Sequence, residues 1–332
     1  MAIVGLGERG RRWAWLASVA RGVEVGALVD PRPEVARAAR NALALDVPVF
    51  HSLSDAVSAG VEGAIVAFGL GQRPRAARMC IALRLHALVE PPLAPSSAEA
   101  AFLLLMAGRA GTALRQAFWL GLSPPLRAMR GVLREDRLGR PIGGLLVRLH
   151  GRGEDERWET VQLLDALLSL LSPIEPRGCR REGYALLLDF EGEATFGLAI
   201  GPSGDSMEGL LLVCEHGALL WDGRTAFVRE GRRGLRWRPE DPLGFRWPER
   251  GEGPGGKFEP LPPDPGPSGE EAALARFRAE VEGRTGRADE RRELLPVALL
   301  EACGLAGERG EGRPQELVER ALEEGGKRAG LR

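Results

Sequence analysis

The sequence predicts an α/β protein in which a doubly wound parallel sheet precedes an α+β domain of mostly antiparallel strands. In the first part of the chain, short apolar runs alternate with helical patterns, and this alternation is typical of a parallel sheet with helical crossovers. In the second half, strand patterns follow one another with only turns between them, such as Glu191-Gly192, which indicates an antiparallel meander. A chain of 332 residues is long enough for two domains, and we expect them at 1–118 and 119–332.

Five apolar strand patterns predict the parallel sheet of the first domain. The run at 62–68 is almost continuously apolar, as in a strand that is buried on both faces. Ser96 and Glu99 form a capping-box pattern at the start of a helix. The strands are predicted at 2–4, 23–30, 47–50, 62–68 and 86–90, and the helices at 8–21, from Pro33, at 74–84 and at 98–108.

The second domain is predicted to begin with a helix at 124–135, a strand up to about His150 and a helix at 158–171. Residues 239–268 are rich in Pro and Gly and are predicted to be irregular. The remaining strands are predicted at 184–190, 193–200, 208–215, 217–222, 225–229 and 234–238, and the closing helices at 270–282, 289–304 and 314–325.

The composition favours a cytoplasmic protein that binds neither nucleic acid nor membranes. A net charge of −1 gives no bulk attraction to a phosphate backbone or to anionic lipid. The longest apolar stretches are too short to cross a bilayer, and the chain opens without a signal-peptide pattern. The 4 cysteines are scattered without a CxxC pair, so we expect buried, reduced thiols. The histidines show no metal-ligand spacing.

A glycine-rich run, GLGERG at 5–10, lies between the first strand and the first helix. In a dinucleotide-binding turn, the first glycine (Gly5) makes the tight turn and the second (Gly7) lets the backbone approach a pyrophosphate. The third (Gly10) lets the helix pack closely on the strand. Asp30 ends the second strand, where a carboxylate accepts hydrogen bonds from an adenosine ribose. The run therefore predicts a nucleotide site on a Rossmann fold; the alternative is a vestigial fold whose loop merely packs.

The nucleotide is predicted to be NAD, because the carboxylate of Asp30 repels the 2′-phosphate of NADP. NADP is the alternative, since Arg32 lies two residues further on and is able to hold that phosphate. Glu8 and Arg9 belong to the same run and are predicted cofactor neighbours. Arg9 either borders the adenine or is a solvated helix residue.

Further segments along nearly the whole chain carry a resemblance to a known family. They are Val29-Asp30-Pro31, Leu88-Val89-Glu90-x-Pro92-Leu93-Ala94, Gly139-Arg140-Pro141-Ile142-Gly143 and Leu163-Leu164-Asp165, with 277–286 and 299–302 near the end. Together with the run at 5–10, they resemble the glucose–fructose oxidoreductase/inositol dehydrogenase family (Gfo/Idh/MocA). The resemblance implies a Rossmann domain followed by a domain with a large open sheet, and nicotinamide bound between them. It also implies a small-molecule substrate, often a sugar or cyclitol, and a homo-oligomer (dimer or tetramer) that pairs through the sheet.

The sequence departs from this family where the chemistry is expected. The family has a Glu-Lys-Pro tripeptide whose lysine supports proton transfer, whereas this chain has Glu90-Pro91-Pro92, and proline has no proton to give. In the family's Asp-x-Gly-x-His-x-x-Asp helix, the first acid registers with Trp158 and the histidine with Gln162, and only the last acid, Asp165, is retained. Many members of the family have a histidine after the fourth strand, and its position aligns near Arg73 in this chain.

Asp165, Gln162 and Glu90 are therefore the candidate catalytic residues. Gln162 and Asp165 are three residues apart, so they share one helix face and could orient a substrate hydroxyl; alternatively, Asp165 pairs with an arginine. Glu90 ends the fifth strand and either borders the nicotinamide or is a buried structural carboxylate.

Three functions are consistent with these residues. The first is hydride transfer between NAD(P) and a sugar-, cyclitol- or imine-like molecule with non-standard acid/base groups. The second is an inactive family member that retains nucleotide binding and acts as a partner or regulatory subunit. The third is a redox-neutral reaction with tightly held NAD.

Overall fold

A computed structural model of the chain describes residues 1–150, 156–182, 185–202, 207–231, 257–262, 264–286, 289–303 and 313–331. The chain forms two compact units. The first unit consists of Met1–Phe118, Glu270–Val297 and Val318–Arg332, and the second of Trp119–Gly269 and Ala298–Leu317.

Most helices and strands lie where the sequence patterns predict them. In chain order they are β1 (Ala2–Val4), α1 (Glu8–Val19), β2 (Ala27–Val29), α2 (Pro33–Ala42), β3 (Val49–Phe50), α3 (Leu53–Ala56), β4 (Gly63–Val66), α4 (Arg73–Ala82), β5 (His86–Val89), α5 (Ser97–Ala110), β6 (Leu114–Gln116), α6 (Pro124–Arg134), β7 (Pro141–His150), α7 (Glu156–Leu171), β8 (Pro176–Glu182), β9 (Ala185–Phe190), β10 (Thr195–Pro202), β11 (Met207–Cys214), β12 (Gly217–Trp221), β13 (Ala226–Glu230), β14 (Glu259–Pro260), α8 (Gly269–Val281), α9 (Glu290–Ala302) and α10 (Pro314–Arg328).

Six parallel strands form the sheet of the first unit, in the order β3-β2-β1-β4-β5-β6. The order reverses beside β1, and open α/β sheets bind their ligands at the carboxyl ends of the strands at such a switch point. Trp13 and Leu16 of α1 pack in the core on this sheet. Ser96 caps α5 by accepting a hydrogen bond from the N–H of Glu99 at 3.3 Å, as its capping-box pattern predicts. The predicted doubly wound parallel sheet is confirmed.

Eight strands form the sheet of the second unit, in the order β14-β13-β12-β11-β7-β10-β9-β8. All neighbouring strands are antiparallel except β7 and β10. The predicted large, mostly antiparallel sheet is therefore confirmed. On α7, apolar residues such as Leu163, Leu164 and Leu167 are buried, and this helix packs against β7 and β10.

The structure contains elements that the sequence patterns do not predict, namely α3, β6, β8 and β14. The strand β8 was not predicted, because Pro176, Gly178 and several charged residues interrupt its pattern; an edge strand tolerates this composition, since one of its sides forms no ladder. The expected domain 119–332 is divided, because α8 contributes Leu274 and Phe277 to the core of the first unit. The strand predicted at 234–238, most of the irregular region at 239–268 and the Trp158 side chain lie outside the described residues.

One face of the second sheet forms an apolar cluster that is already buried within a single chain. Side chains from β7, β11 and β12 meet there, and Phe258 packs among them. Leu145, Leu211 and Leu220 are at most 4% exposed. The face therefore offers little apolar area to a second copy of the chain. Over the part of the chain that the structure describes, no helix is long and apolar enough to cross a bilayer.

Candidate functional site

The glycine loop (residues 5–10) connects β1 to α1, and packing fixes its first and third glycines. Gly5 has a φ of +87°, which favours glycine, and its N–H donates to the carbonyl of Val29 at 2.8 Å. A Cβ on Gly10 would lie 1.7 Å from the carbonyl oxygen of Gly5. No side chain fits there, because α1 passes directly over the loop. Gly5 and Gly10 are thus required by the fold itself, with or without a ligand.

Gly7 is different, because neither its backbone nor its surroundings require a glycine. Its φ of −64° suits any residue, and a Cβ would meet nothing within 4 Å. Gly7 is the N-cap of α1 and provides no side-chain cap to the first turn. A side chain at position 7 would therefore project into open space at the amino end of α1, the end of a helix whose N–H groups bind phosphates. Glu8, the first residue of α1, is exposed beside this space.

Asp30 connects the end of β2 to the glycine loop. It is 3% exposed, and its Oδ2 accepts a hydrogen bond from the N–H of Leu6 at 2.8 Å. Its Oδ1 accepts from the N–H of Arg32 at 3.0 Å, and the Nε of Arg32 is 3.7 Å from the same oxygen. The Arg32 side chain is 70% exposed. A buried carboxylate and an exposed arginine thus lie side by side where the sequence predicts ribose recognition.

Glu90 lies at the end of β5 and is 1% exposed. Its Oε1 accepts hydrogen bonds from the Nε and Nη2 of Arg9, at 3.1 and 2.9 Å, and from the indole N–H of Trp13. Arg9 also lies 3.7 Å from Glu270 on α8. These contacts differ from both predictions for Arg9, which were a position beside the adenine and a solvated helix residue. For Glu90, they favour the structural carboxylate over a group beside the nicotinamide.

Two buried polar residues that the sequence analysis did not single out as site residues hold the loop after β5. The Nη1 of Arg73 donates to the carbonyls of Pro91 and Pro92 at 2.8 and 3.3 Å, and its Nε donates to the carbonyl of Phe68 at 2.8 Å. The Oε1 of Gln116 accepts a hydrogen bond from the N–H of Leu93, the residue after Pro92, at 2.7 Å. Arg73 is 6% exposed, and the Pro91–Pro92 peptide is cis. The guanidinium thus connects the carboxyl ends of β4 and β5.

Gln162 and Asp165 lie on α7 in the second unit. Gln162 is 2% exposed, and its Oε1 accepts from the N–H groups of Trp119 and Leu120 at 3.2 and 3.4 Å. This amide oxygen therefore supports the backbone of a short helical turn. Asp165 is half-buried, and its carboxylate lies beside Gly121. A Cβ added to Gly121 would be 3.4 Å from Oδ2 of Asp165. Arg130 donates to the carbonyl of the same glycine at 2.9 Å.

In the structure, the predicted residues form two groups. The glycine loop with Asp30, Arg32, Arg9 and Glu90 occupies the carboxyl edge of the parallel sheet, and Gln162 with Asp165 occupies α7. Among the residues that the structure describes, no group of three or more histidines, cysteines or carboxylates is arranged to hold a metal ion.

One comparison with known proteins covers the segment of the chain that contains the first group. Residues 1–118 match a family model described as "Oxidoreductase family, NAD-binding Rossmann fold", the model of Gfo/Idh/MocA proteins. The match confirms the resemblance over these residues and the Rossmann fold that the glycine loop predicts. No curated protein matches the chain in sequence.

Solved structures share the fold over nearly the whole chain. A UDP-N-acetylglucosamine 3-dehydrogenase from Acidithiobacillus ferrooxidans is 15% identical, with 97% of this chain and 95% of that chain covered and a TM-score of 0.64. An oxidoreductase from Agrobacterium radiobacter, in complex with NAD+, L-tartaric acid and magnesium, is 16% identical, with 95% and 98% covered and a TM-score of 0.70. A 3-ketoreductase from Actinomadura kijaniata, in complex with NADP, is 16% identical, with 92% and 96% covered and a TM-score of 0.73.

Proposed function

We propose that the protein is an NAD(P)-dependent oxidoreductase of a small molecule, and the match of residues 1–118 to the family model of Gfo/Idh/MocA oxidoreductases supports the proposal. The observation that carries the proposal is the geometry at Gly7, where the loop leaves open space at the amino end of α1 without any structural need for a glycine. A relic of a nucleotide site would not need to preserve that space.

NAD is the nucleotide that we propose, with NADP as the alternative. Gly7 and the first turn of α1, which begins with Glu8, would hold the pyrophosphate, and Asp30 would accept hydrogen bonds from the ribose. Gly5 and Gly10 shape the loop, and Arg9 is held on Glu90. A 2′-phosphate would meet the charge of Asp30, which the exposed Arg32 would partly offset. The nicotinamide, when bound, supplies or accepts a hydride.

The substrate that we propose is a sugar, a cyclitol or a cyclic imine. The support is the fold shared with a 3-ketoreductase and with a UDP-N-acetylglucosamine 3-dehydrogenase. Asp165 is the residue to which we assign proton transfer, because the family's lysine is replaced by Pro91. We give Gln162 and Glu90 supporting roles, since each has an oxygen that accepts bonds from the protein itself.

The proposal is tested by nicotinamide oxidation in the presence of keto sugars, keto cyclitols and cyclic imines. We expect at least one of these to consume NADH or NADPH, and we expect Asp165→Asn to lower kcat by about 10²-fold or more. Glu175→Gln, which changes an exposed carboxylate of the same unit, should leave the rate unchanged. Equal rates for wild type and Asp165→Asn would remove Asp165 from the mechanism.

The second candidate function is that of an inactive subunit that binds nucleotide. Pro91 in place of the family's lysine favours it, together with the protein contacts of Glu90 and Gln162. Nucleotide binding with no turnover of any compound in the panel would support this candidate and exclude the first. A redox-neutral reaction with tightly held NAD would instead show as nucleotide that copurifies with the protein.

Assembly as a homo-oligomer and a cytoplasmic location stay predictions. We do not propose assembly through the apolar face of the second sheet, because its described residues are buried within one chain.

A further inference from the structure

Gln116 is the last residue of β6, and its side chain joins two segments that are distant in the sequence. It pairs with Val89 at the end of β5, so it lies at the carboxyl edge of the parallel sheet. The Oε1 of Gln116 accepts a hydrogen bond from the N–H of Leu93 at 2.7 Å, and its Nε2 donates to the carbonyl of Glu293 on α9 at 2.7 Å. The residue is 5% exposed. One buried carboxamide thus connects α9 to the loop that follows β5.

A second contact with Glu293 fixes the backbone of Gln116. The Oε2 of Glu293 accepts a hydrogen bond from the N–H of Gln116 at 2.9 Å. The amide is suited to this position, because it has an acceptor for the N–H of Leu93 and a donor for the carbonyl of Glu293. A carboxylate would lack the donor, and an apolar side chain would lack both groups. The two contacts therefore depend on the carboxamide and not only on the size of the side chain.

The loop that Gln116 contacts, residues 91–94, is buried and is held from two sides. Arg73, at the start of the helix that follows β4, donates to the carbonyls of Pro91 and Pro92. Gln116, at the end of β6, accepts from the next N–H along the loop. Because β4 and β6 are the two neighbours of β5 in the sheet, the loop is attached to the elements on both sides of its own strand. All of these residues belong to the first unit.

The strand order of the first sheet indicates which part of a nucleotide this loop would meet. The order is β3-β2-β1-β4-β5-β6, and a dinucleotide lies across the carboxyl edge at the point where the order reverses. With Asp30 at the end of β2 as the acceptor for the ribose, the adenosine would lie on the β2 side of the glycine loop. The nicotinamide would then lie on the other side of that loop, over the ends of β4 and β5.

We propose that Gln116 is a positioning residue for the nicotinamide half of the nucleotide, and that it acts by setting the position of residues 91–94. This inference rests on the nucleotide binding proposed above. Gln116 acts through the loop and not by touching the nucleotide, because its amide oxygen and nitrogen are bonded to Leu93 and Glu293. Its substitution should therefore weaken the binding of the nicotinamide and leave the binding of the adenosine and the pyrophosphate as it is.

Isothermal titration calorimetry of the full chain with NADH and with ADP-ribose tests the proposal. ADP-ribose contains the adenosine, the pyrophosphate and the second ribose of NADH but lacks the nicotinamide. Gln116→Met nearly keeps the length of the side chain and removes both of its hydrogen bonds. We expect Kd for NADH to rise about tenfold. Kd for ADP-ribose should stay within about twofold of the wild-type value, because Asp30 and the glycine loop are distant from the substitution.

Arg115→Met is the matched control, because it changes the preceding residue of the same strand. Arg115 is 9% exposed and forms an ion pair with Glu280 on α8, so its substitution should also destabilise the protein. Successive side chains of a strand lie on opposite faces, and this ion pair is made with α8 and not with the loop. The ratio of Kd for NADH to Kd for ADP-ribose should therefore equal that of wild type.

Gln116→Asn makes the same comparison with a smaller change, should Gln116→Met fail to fold. Its amide is one methylene shorter, which separates it from Leu93 and Glu293. We expect Kd for NADH to rise at least about threefold, with Kd for ADP-ribose unchanged.

Three results would overturn the proposal. An equal rise in Kd for both ligands would make Gln116 a structural residue of the whole unit, and an unchanged Kd for NADH would remove it from the site. Equal affinity of wild type for NADH and ADP-ribose would mean that the nicotinamide makes no favourable contact to be positioned. Folded wild type that binds neither ligand is a different outcome, because it would contradict the proposed nucleotide binding itself, and this inference with it.

Discussion

The Nε and Nη2 of Arg9 both donate to Oε1 of Glu90, at 3.1 and 2.9 Å, and so connect the first turn of α1 to the end of β5. Trp13 donates to the same oxygen from the next turn of the helix. The contact joins the helix that follows the glycine loop to the strand that precedes Pro91. It therefore positions two parts of the candidate nucleotide site relative to each other.

Glu90→Gln should destabilise the protein more than it alters nucleotide binding. The substitution removes the negative charge that faces Arg9 and Trp13, and we expect the free energy of unfolding to fall by about 1–3 kcal/mol. Urea denaturation measures the change, with the exposed Glu34→Gln of α2 as the control that should stay within about 0.5 kcal/mol of wild type. Unchanged stability with abolished turnover would instead make Glu90 a catalytic residue.

Arg73→Lys should also destabilise the protein, although it retains the positive charge. An ammonium group cannot reproduce the planar fork that contacts the carbonyls of Phe68, Pro91 and Pro92. We expect a loss of about 1–3 kcal/mol in the free energy of unfolding. Arg75→Lys, at an exposed position of the same helix, is the matched control. Equal unfolding midpoints for the two variants would show that the fork geometry contributes nothing.

Asp30→Asn should weaken NAD binding and reduce the preference for NAD over NADP. A hydrogen bond to a charged group contributes about 1.5–3 kcal/mol, so we expect Kd for NADH to rise about tenfold or more. Kd for NADPH should rise less, because the repulsion of the 2′-phosphate is removed as well. Fluorescence titration with both nucleotides measures the two constants. An equal rise in Kd for NADH and for NADPH would show that Asp30 acts only by supporting the loop through its hydrogen bond with Leu6.

We expect Leu211→Asp to unfold the second unit. If Leu211 lay at a subunit interface, the substitution would instead separate an oligomer into folded monomers. Leu211 is 0% exposed in the apolar cluster of the sheet, and a buried unpaired charge is among the most destabilising substitutions. Circular dichroism and light scattering report folding and mass. Trp15→Asp, at a tryptophan that is 54% exposed on α1, should leave both unchanged. A folded Leu211→Asp monomer obtained from a larger wild-type assembly would show that the face is an interface.

The sequence alone predicts most of the architecture, because local patterns determine most elements. The apolar runs of β1, β4 and β5 and the glycine loop follow directly from periodicity and turn chemistry. The strand β8 was missed because an edge position accepts Pro176 and Gly178, which local propensity excludes from a strand. The return of α8 to the first unit depends on packing between distant segments, which no local pattern records.

The site was predicted less completely than the fold, for the same reason. The positions of Gly7 and Asp30 follow from their spacing after β1 and β2. In contrast, the contacts of Arg9 with Glu90 and of Arg73 with the Pro91 carbonyl join residues from different elements. An arginine in the sequence has no feature that identifies its partner before the chain is folded.

The most direct test of nucleotide binding on the glycine loop is fluorescence titration of wild type and Gly7→Val with NADH. Because position 7 has an ordinary φ and open space, Gly7→Val should remain folded, with the free energy of unfolding lowered by about 1 kcal/mol because valine is a poorer N-cap than glycine. It should nevertheless bind NADH at least about tenfold more weakly, a loss of about 1.4 kcal/mol, while Gly131→Val on α6 binds as wild type does. Equal binding by wild type and Gly7→Val, or no binding by folded wild type, would contradict nucleotide binding on the glycine loop.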